Sequence, residues 1–112
     1  MKPEIKAAFC EALRSGRYKR TTGVLRHDCL SGSFFCASGV LCDLHAKAAG
    51  TKWVNGTYMN YDCRLPPAVR TWAGLGAESR LVLEDELPHT MERLNDDGLT
   101  FPEIANLIEQ QW

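Results

Sequence analysis

The sequence predicts an α+β fold in a single domain over residues 1–112. Three segments carry apolar residues at helical spacing, and one Asn-Gly pair between β-forming residues is typical of a tight hairpin turn. Helical and strand patterns are grouped along the chain and do not alternate, which favours α+β over a βαβ arrangement. We therefore expect about three main helices and short β-hairpins around one core.

Composition supports a small globular domain, with 45% apolar and 24% charged residues in a chain of 112. No apolar run approaches the roughly 18 residues that a membrane helix needs, and the N-terminal residues show no signal-peptide core. We therefore expect no membrane association and a cytoplasmic setting that keeps the five cysteines reduced.

The first helix is predicted at residues 3–15, and it opens with a proline, which is favoured in the first helical turn. Ile5, Phe9 and Leu13 recur every four residues and form one apolar stripe. Gly16 suits the left-handed position that ends a helix. A short strand is predicted around residues 22–26, and 27–33 is predicted as a turn or loop because it is rich in Asp, Ser and Gly.

A central buried helix is predicted at Cys36–Ala49, directly after a short strand at Phe34 and Phe35 that would pair with the first strand. The helix repeats small or apolar residues every four positions, and Leu41 widens that stripe. Gly50 is suited to ending the helix. Because the stripe is wide, we expect this helix at the centre of the core.

A hairpin is predicted around Asn55 and Gly56, because a two-residue turn needs positive φ at both positions and Asn and Gly tolerate it best. The rest of the chain favours short helices at 65–72 and 87–94, a strand or loop at 80–83 and a turn at 95–98. The last helix is predicted from a capping box, in which the hydroxyl of Thr100 and the carboxylate of Glu103 satisfy each other's backbone donors.

Cys36 is the first candidate for chemistry, because a thiol near a helix N-terminus is shifted towards the thiolate. A nucleophile also needs a base, and His27, His45 and His89 stand in no recognisable hydrolase context. A buried small residue is therefore the favoured interpretation, and a binding protein is favoured over an enzyme. No pair of Cys or His has convincing zinc-site spacing, so we predict no metal, no cofactor and no catalytic residue.

Charge is distributed unevenly: residues 1–26 carry seven Lys or Arg against two Glu, and residues 78–112 carry nine Asp or Glu against two Arg. Such an excess is usually a solvated face. The alternative is a local positive surface for an anionic ligand, because arginine binds phosphate bidentately and tyrosine stacks on rings. On this alternative the predicted ligand-binding residues are Arg14, Arg17, Tyr18, Arg20 and Arg26.

Four further residues complete the predicted ligand-binding set. Asn95 and Asp96 would bind ligand hydroxyls, although the same residues suit a turn for its own hydrogen bonding. Trp53 would be a stacking platform if it faces outwards, and a core residue if it does not. Cys36, followed by Gly39 one turn later, would bring the helix start close to a ligand or permit close packing.

Four segments together resemble small uncharacterised accessory proteins of tailed phages and prophages: ALRSGRY at 12–18, FCASGVLCDL at 35–44, LPPAVRTWAGL at 65–75 and LNDDGLTF at 94–101. A looser resemblance is to actinobacterial domains of unknown function with a Phe-Cys-x-x-Gly-x-Leu core. Where the family has a leucine after its core cysteines, this chain has Ala37-Ser38, so the centre of the motif is altered here. The resemblance implies phage origin and the cytoplasm of a bacterial host, and it implies no mechanism.

Small phage accessory proteins are frequently counter-defence factors, so we expect stoichiometric binding that sequesters a nucleotide-derived immune signal. The first alternative is an anti-CRISPR-like inhibitor, which would occlude a host nucleic-acid-binding complex through the acidic residues Glu84, Asp85 and Glu86. The second is a cysteine-dependent enzyme. The expected partner is thus a nucleotide-derived small molecule or a host defence protein. Sequence-specific nucleic-acid binding is not expected from a net charge of −1, and homo-oligomerisation stays open.

Overall fold

Five helices and one three-stranded sheet make up the regular structure of the computed structural model, which describes residues 1–77, 79–83 and 87–112. The helices are α1 (Pro3–Arg14), α2 (Ala37–Ala49), α3 (Pro67–Ala73), α4 (Met91–Asp96) and α5 (Phe101–Gln111). The strands are β1 (Lys19–Arg20), β2 (Arg26–Cys29) and β3 (Gly32–Phe35). The predicted α+β class, with three main helices, is confirmed. No helix among the described residues is both long enough and apolar enough to cross a bilayer.

Helix α2 is the centre of the core, because it packs against α1, α3, α4 and β3. Residues 37–42 along its first half are all buried. Cys36 stands just before the helix as its N-cap, and its Sγ accepts a hydrogen bond from the N–H of Gly39 at 3.3 Å. Gly50 ends the helix in the left-handed conformation, with φ 70°. The predicted central helix is confirmed, with Cys36 as its cap.

Gly39 is required inside α2 by the close approach of another segment. A Cβ at this position would overlap the carbonyl oxygen of Leu25, which lies in the loop before β2. Backbone atoms cannot move aside as a flexible side chain can. The glycine therefore lets the loop carrying Leu25, a fully buried residue, pass directly over the helix.

Helices α1 and α5 pack side by side and close one side of the core. Phe9 on α1 and Ile104 and Ile108 on α5 are fully buried, as the apolar stripes predict. The capping box is present: Thr100 Oγ1 accepts from the N–H of Glu103, and Glu103 accepts from the N–H of Thr100 at 2.9 Å. Both predicted helices are confirmed within one or two residues at their ends.

The sheet has the order β1-β3-β2, with β3 parallel to β1 and antiparallel to β2. Strands β2 and β3 form a hairpin whose turn is Leu30 and Ser31. The predicted loop at 27–33 is therefore wrong, and so is the strand at 22–26, since 22–25 form a bend. The reason is that three of the four β2 residues are exposed. Backbone pairing therefore forms the strand, and the sequence lacks the apolar alternation by which a strand is predicted.

The predicted Asn-Gly turn is present, with φ 49° at Asn55 and 78° at Gly56. Its flanks, however, form only single bridges rather than strands, at Val54 with Thr57 and, after a second tight turn, at Tyr58 with Tyr61. The prediction of antiparallel strands on both sides of the turn is therefore wrong. The turns instead lead directly into residues 61–65, which approach α4.

Helix α3 is confirmed, whereas α4 begins later than predicted. The hydroxyl of Thr90 caps α4 by accepting from the N–H of Arg93 at 3.1 Å, so that residues 87–89 stay outside the helix and Asn95 and Asp96 lie inside it. The predicted turn at 95–98 is therefore shifted towards the C-terminus. In the segment left open as a strand or loop, Leu81 forms a single bridge with His89. The acidic residues of the 84–86 stretch lie outside the described residues.

Candidate functional site

A pocket of about 400 Å³ lies between α3, α4 and the C-terminal residue. This volume falls within the range of small-molecule sites, roughly 300–1,000 Å³. We call it the arginine pocket, because the charged side chains of three arginines line it with one carboxylate and two aromatic rings. These residues are Arg64, Arg70, Arg80, Glu92, Tyr61 and Trp112.

The backbone of Leu65 holds two charged side chains of the arginine pocket in place. Its N–H donates to Glu92 Oε1 at 2.9 Å, and its carbonyl accepts from Arg70 Nη1 at 2.8 Å. The side chain of Leu65 is itself buried, and the proline that follows it starts the approach to α3. The backbone of Leu65 therefore positions both an acceptor, the carboxylate of Glu92, and a donor, the guanidinium of Arg70.

Two arginines of the arginine pocket have no carboxylate partner among the described residues. Within residues 1–77, 79–83 and 87–112, neither Arg64 nor Arg70 forms an ion pair with a carboxylate. The guanidinium of Arg64 lies 5.6 Å from the ring centroid of Tyr61, in a cation–π contact. Arginine forks that are not already held by carboxylates can bind an incoming anion without first breaking an ion pair.

The aromatic side chains of the arginine pocket offer flat, partly exposed surfaces. Tyr61 and Trp112 are both half-buried. The indole N–H of Trp112 donates to the carbonyl of Arg80 at 3.0 Å, which anchors the ring at the edge of the pocket. A ring anchored through its polar edge presents its apolar face for stacking at little further entropic cost.

The predicted ligand-binding arginines at the end of α1 are held by carboxylates of the same chain. Arg14 pairs with Glu109 on α5 at 2.5 Å, and Arg17 contacts both carboxylate oxygens of Glu11 at 3.0 and 2.9 Å. These pairs raise the pKa of each arginine and lower the pKa of Glu109 and Glu11. An anionic ligand at this position would have to displace a carboxylate.

Three other predicted residues meet around the ring of Phe35. Tyr18 and Trp53 make edge contacts with that ring at 5.1 and 6.0 Å between centroids, and the guanidinium of Arg26 lies 5.4 Å from it. Tyr18 also donates to Asp43 at 2.6 Å, and Trp53 to the same carboxylate at 3.1 Å. Arg26 and Trp53 line a second pocket of about 360 Å³, in which Arg26 is already paired with Asp28.

Asn95 and Asp96 connect α4 to the loop before β2, together with Arg20. Asn95 is fully buried, and its backbone carbonyl accepts from the guanidinium of Arg20. Asp96 accepts from the N–H of Gly23 at 2.9 Å. These hydrogen bonds join segments of the same chain. They bring Asn95 and Asp96 to the loop before β2 and not to Arg14, Arg17 or Trp53.

Cys36 is 3% exposed, and burial raises the pKa of its thiol to about 12. Its hydrogen-bonding partner is the N–H of Gly39, not a histidine. Among the described residues, no group of three or more His, Cys, Asp or Glu is arranged to hold a metal ion. The thiol therefore stays protonated near neutral pH and serves as a helix cap.

A family model described as "Domain of unknown function (DUF8296)" matches residues 1–112. The chain belongs to this family. No curated protein and no solved structure matches it. The family model covers the whole chain and assigns it no activity, so the site itself is the basis for a function.

The residues of the arginine pocket in this DUF8296 chain were missed from the sequence, because five separate segments supply them and no local motif joins them. One signal was available. Arg64 lies three residues after Tyr61, so this segment also places an arginine near a tyrosine, as Arg17 and Tyr18 do. Only the structure shows that the first arginine is paired with Glu11 whereas Arg64 has no carboxylate partner within the described part of the chain.

Proposed function

We propose that this domain acts by stoichiometric binding of a nucleotide-derived small molecule in the arginine pocket. The observation that carries this proposal is the pair Arg64 and Arg70, which line one pocket without a carboxylate partner among the described residues. Arginines left in this state inside a concave site are suited to an anionic ligand, because the guanidinium fork matches phosphate oxygens.

The aromatic rings at the same site support a ligand that carries a ring as well as a charge. Tyr61 and Trp112 line the arginine pocket together with the arginines. Stacking on an aromatic side chain is worth roughly 1–3 kcal/mol per base in nucleic-acid-binding proteins. Phosphate and base would therefore be recognised by different side chains of one pocket, as a nucleotide requires.

Binding without turnover is supported by the kinds of residue in the pocket. Its described lining contains no cysteine and no histidine, so it offers neither a thiolate nucleophile nor an imidazole base. Cys36, the nucleophile considered from the sequence, is buried elsewhere with a raised pKa. The candidate nucleophile of the sequence is thus absent from the pocket, which favours binding over catalysis there.

In the counter-defence setting that the phage resemblance implies, such binding lowers the free concentration of an immune signal in the cytoplasm of the bacterial host. A sequestering protein needs affinity and abundance, and no chemistry, so a chain of 112 residues is sufficient. The anti-CRISPR-like alternative relies on Glu84, Asp85 and Glu86, which lie outside the described residues. No described feature therefore favours it over the pocket.

The test is to purify the tagged protein from infected bacteria, denature it and identify the released small molecules by mass spectrometry. We expect one phosphate-bearing, ring-bearing compound, released unchanged and close to equimolar with the protein. Arg70→Gln should abolish its recovery, whereas Arg93→Gln, which removes an exposed arginine paired with Asp97 outside the pocket, should not. Recovery of no small molecule, or of a chemically converted one, would contradict the proposal.

A further inference from the structure

Glu92 is an acidic side chain in a pocket otherwise suited to anions. It is the one carboxylate among the described residues that line the arginine pocket, and none of the described cations forms an ion pair with it. Its Oε1 accepts from the N–H of Leu65 at 2.9 Å, which holds the carboxylate in a defined position. A carboxylate placed here weakens the binding of a simple anion, so the ligand must offer something that this acceptor can use.

A carboxylate has about four lone-pair positions, and the backbone of Leu65 uses one of those on Glu92. The others can accept hydrogen bonds from ligand hydroxyl or amino groups. Because three arginines line the same pocket, a ligand ammonium group would be repelled by their charge. Neutral hydroxyl groups are not repelled, and an acidic side chain accepts from a ribose hydroxyl in dinucleotide-binding folds.

We infer that Glu92 recognises the vicinal hydroxyls of a ribose, and that the arginine pocket therefore selects ribonucleotides over deoxynucleotides and over free phosphate or pyrophosphate. This inference rests on the proposed function, because it places a nucleotide in the pocket. Arg64 and Arg70 would hold the phosphate, Tyr61 or Trp112 the base, and Glu92 the sugar between them.

The test compares adenosine monophosphate with its dideoxy analogue, which lacks both ribose hydroxyls, by isothermal titration. A hydrogen bond to a charged group is strong enough that we expect the dideoxy analogue to bind at least about tenfold more weakly. Glu92→Gln keeps an oxygen for the N–H of Leu65 and removes the charge, so it should shrink this ratio to about threefold or less. Glu11→Gln, an exposed carboxylate outside the pocket, should leave the ratio unchanged.

The outcomes separate this inference from the proposed function. Equal binding of the two nucleotides to the unmodified protein would overturn the role of Glu92 and leave nucleotide binding standing. A tenfold preference that survives in Glu92→Gln would also overturn it, since another residue would then read the hydroxyls. If neither nucleotide binds the unmodified protein, the proposed function fails, and this inference fails with it.

Discussion

The side-chain oxygen of Asn95, a fully buried residue on α4, accepts a hydrogen bond from the N–H of Ala37 at 3.2 Å. The amide nitrogen of the same side chain donates to the carbonyl of Thr21 at 2.9 Å. One side chain thus joins the start of the central helix, the short helix α4 and the loop before β2. Helix N-termini leave unpaired N–H groups, and here a residue 58 positions away satisfies one of them.

Replacing Asn95 with alanine should destabilise the domain by about 2–4 kcal/mol, because it leaves the buried N–H of Ala37 and the half-buried carbonyl of Thr21 without this partner. Urea unfolding followed by far-UV circular dichroism measures the change. Asn106→Ala is the matched control, since Asn106 is exposed and its side chain accepts a hydrogen bond from Arg14 at the surface. A loss for Asn95→Ala no larger than that of the control would contradict this role.

Replacing Gly39 with alanine should also destabilise the protein, by about 3 kcal/mol, although alanine normally stabilises a helix interior relative to glycine. The new Cβ would overlap the backbone of Leu25. Thermal unfolding provides the comparison, with Gly76→Ala as the control, because the nearest described atom to a Cβ at Gly76 is the hydroxyl of Ser79 at 4.0 Å. A rise in the melting temperature of Gly39→Ala would show that Leu25 does not lie against the helix.

His45 should make stability fall as the solution becomes mildly acidic. Burial lowers its pKa below the ordinary value of 6.5, and its Nδ1 lies 2.6 Å from the hydroxyl of the buried Tyr58. The unfolded chain therefore takes up the proton more readily, so the stabilising contribution is complete above pH 6.5 and is lost as the pH falls through the lowered pKa.

Urea unfolding of the unmodified protein at several pH values between about 7 and 5 should show this loss of stability. His45→Gln, which keeps a polar group beside Tyr58, should flatten the dependence over the same range. The control His27→Gln changes an exposed histidine on β2 and should leave the dependence intact. An unchanged slope in His45→Gln would assign the effect to other groups.

The thiols should differ in reactivity according to burial. Cys29 is exposed, and hydrogen bonding from Ser31 lowers its pKa, whereas the pKa of the buried Cys36 is raised to about 12. Because the thiolate is the reacting form, iodoacetamide at neutral pH should label Cys29 first and Cys36 only after unfolding. Mass spectrometry of proteolytic peptides, taken at successive times, determines the order in which the cysteines are labelled. Rapid labelling of Cys36 in the folded protein would reopen the enzyme hypothesis.

Cys36→Ser should fold normally and keep full ligand binding, since serine is a favoured N-cap and can accept from the N–H of Gly39 as the thiol does. Isothermal titration with adenosine monophosphate measures binding to the arginine pocket in this variant. A loss of binding with unchanged stability would show that the thiol takes part in function.

The helices were predictable because local signals specify them. Proline near the start of α1, the αL glycine after α2 and the capping box of α5 act within a few residues of each helix end. Strand β2 was not predictable in this way, because its side chains are mostly exposed and its pairing partner β3 determines its conformation. The start of α4 depended on whether Thr90 or an earlier residue provides the cap.

The site was less predictable than the fold, because its charge state depends on residues distant in the sequence. Arg14 and Arg17 look alike in the sequence, and both are paired in the structure, one of them with Glu109 across 95 positions. Arg70 stands in the predicted short helix at 65–72, and Arg64 directly precedes it. Only the folded chain shows which arginines keep carboxylate partners and which line a pocket.

The most direct test of the arginine pocket is a nuclear magnetic resonance titration of the labelled protein with adenosine monophosphate. The chain has three tryptophans, whose indole N–H signals are separate reporters. We predict that the Trp112 indole signal and the backbone amide signals of Arg64 and Leu65 move most, while the Trp53 indole signal, held by Asp43, stays in place. Shifts centred on Trp53 or on residues 14–20, with the Trp112 signal unmoved, would contradict the account.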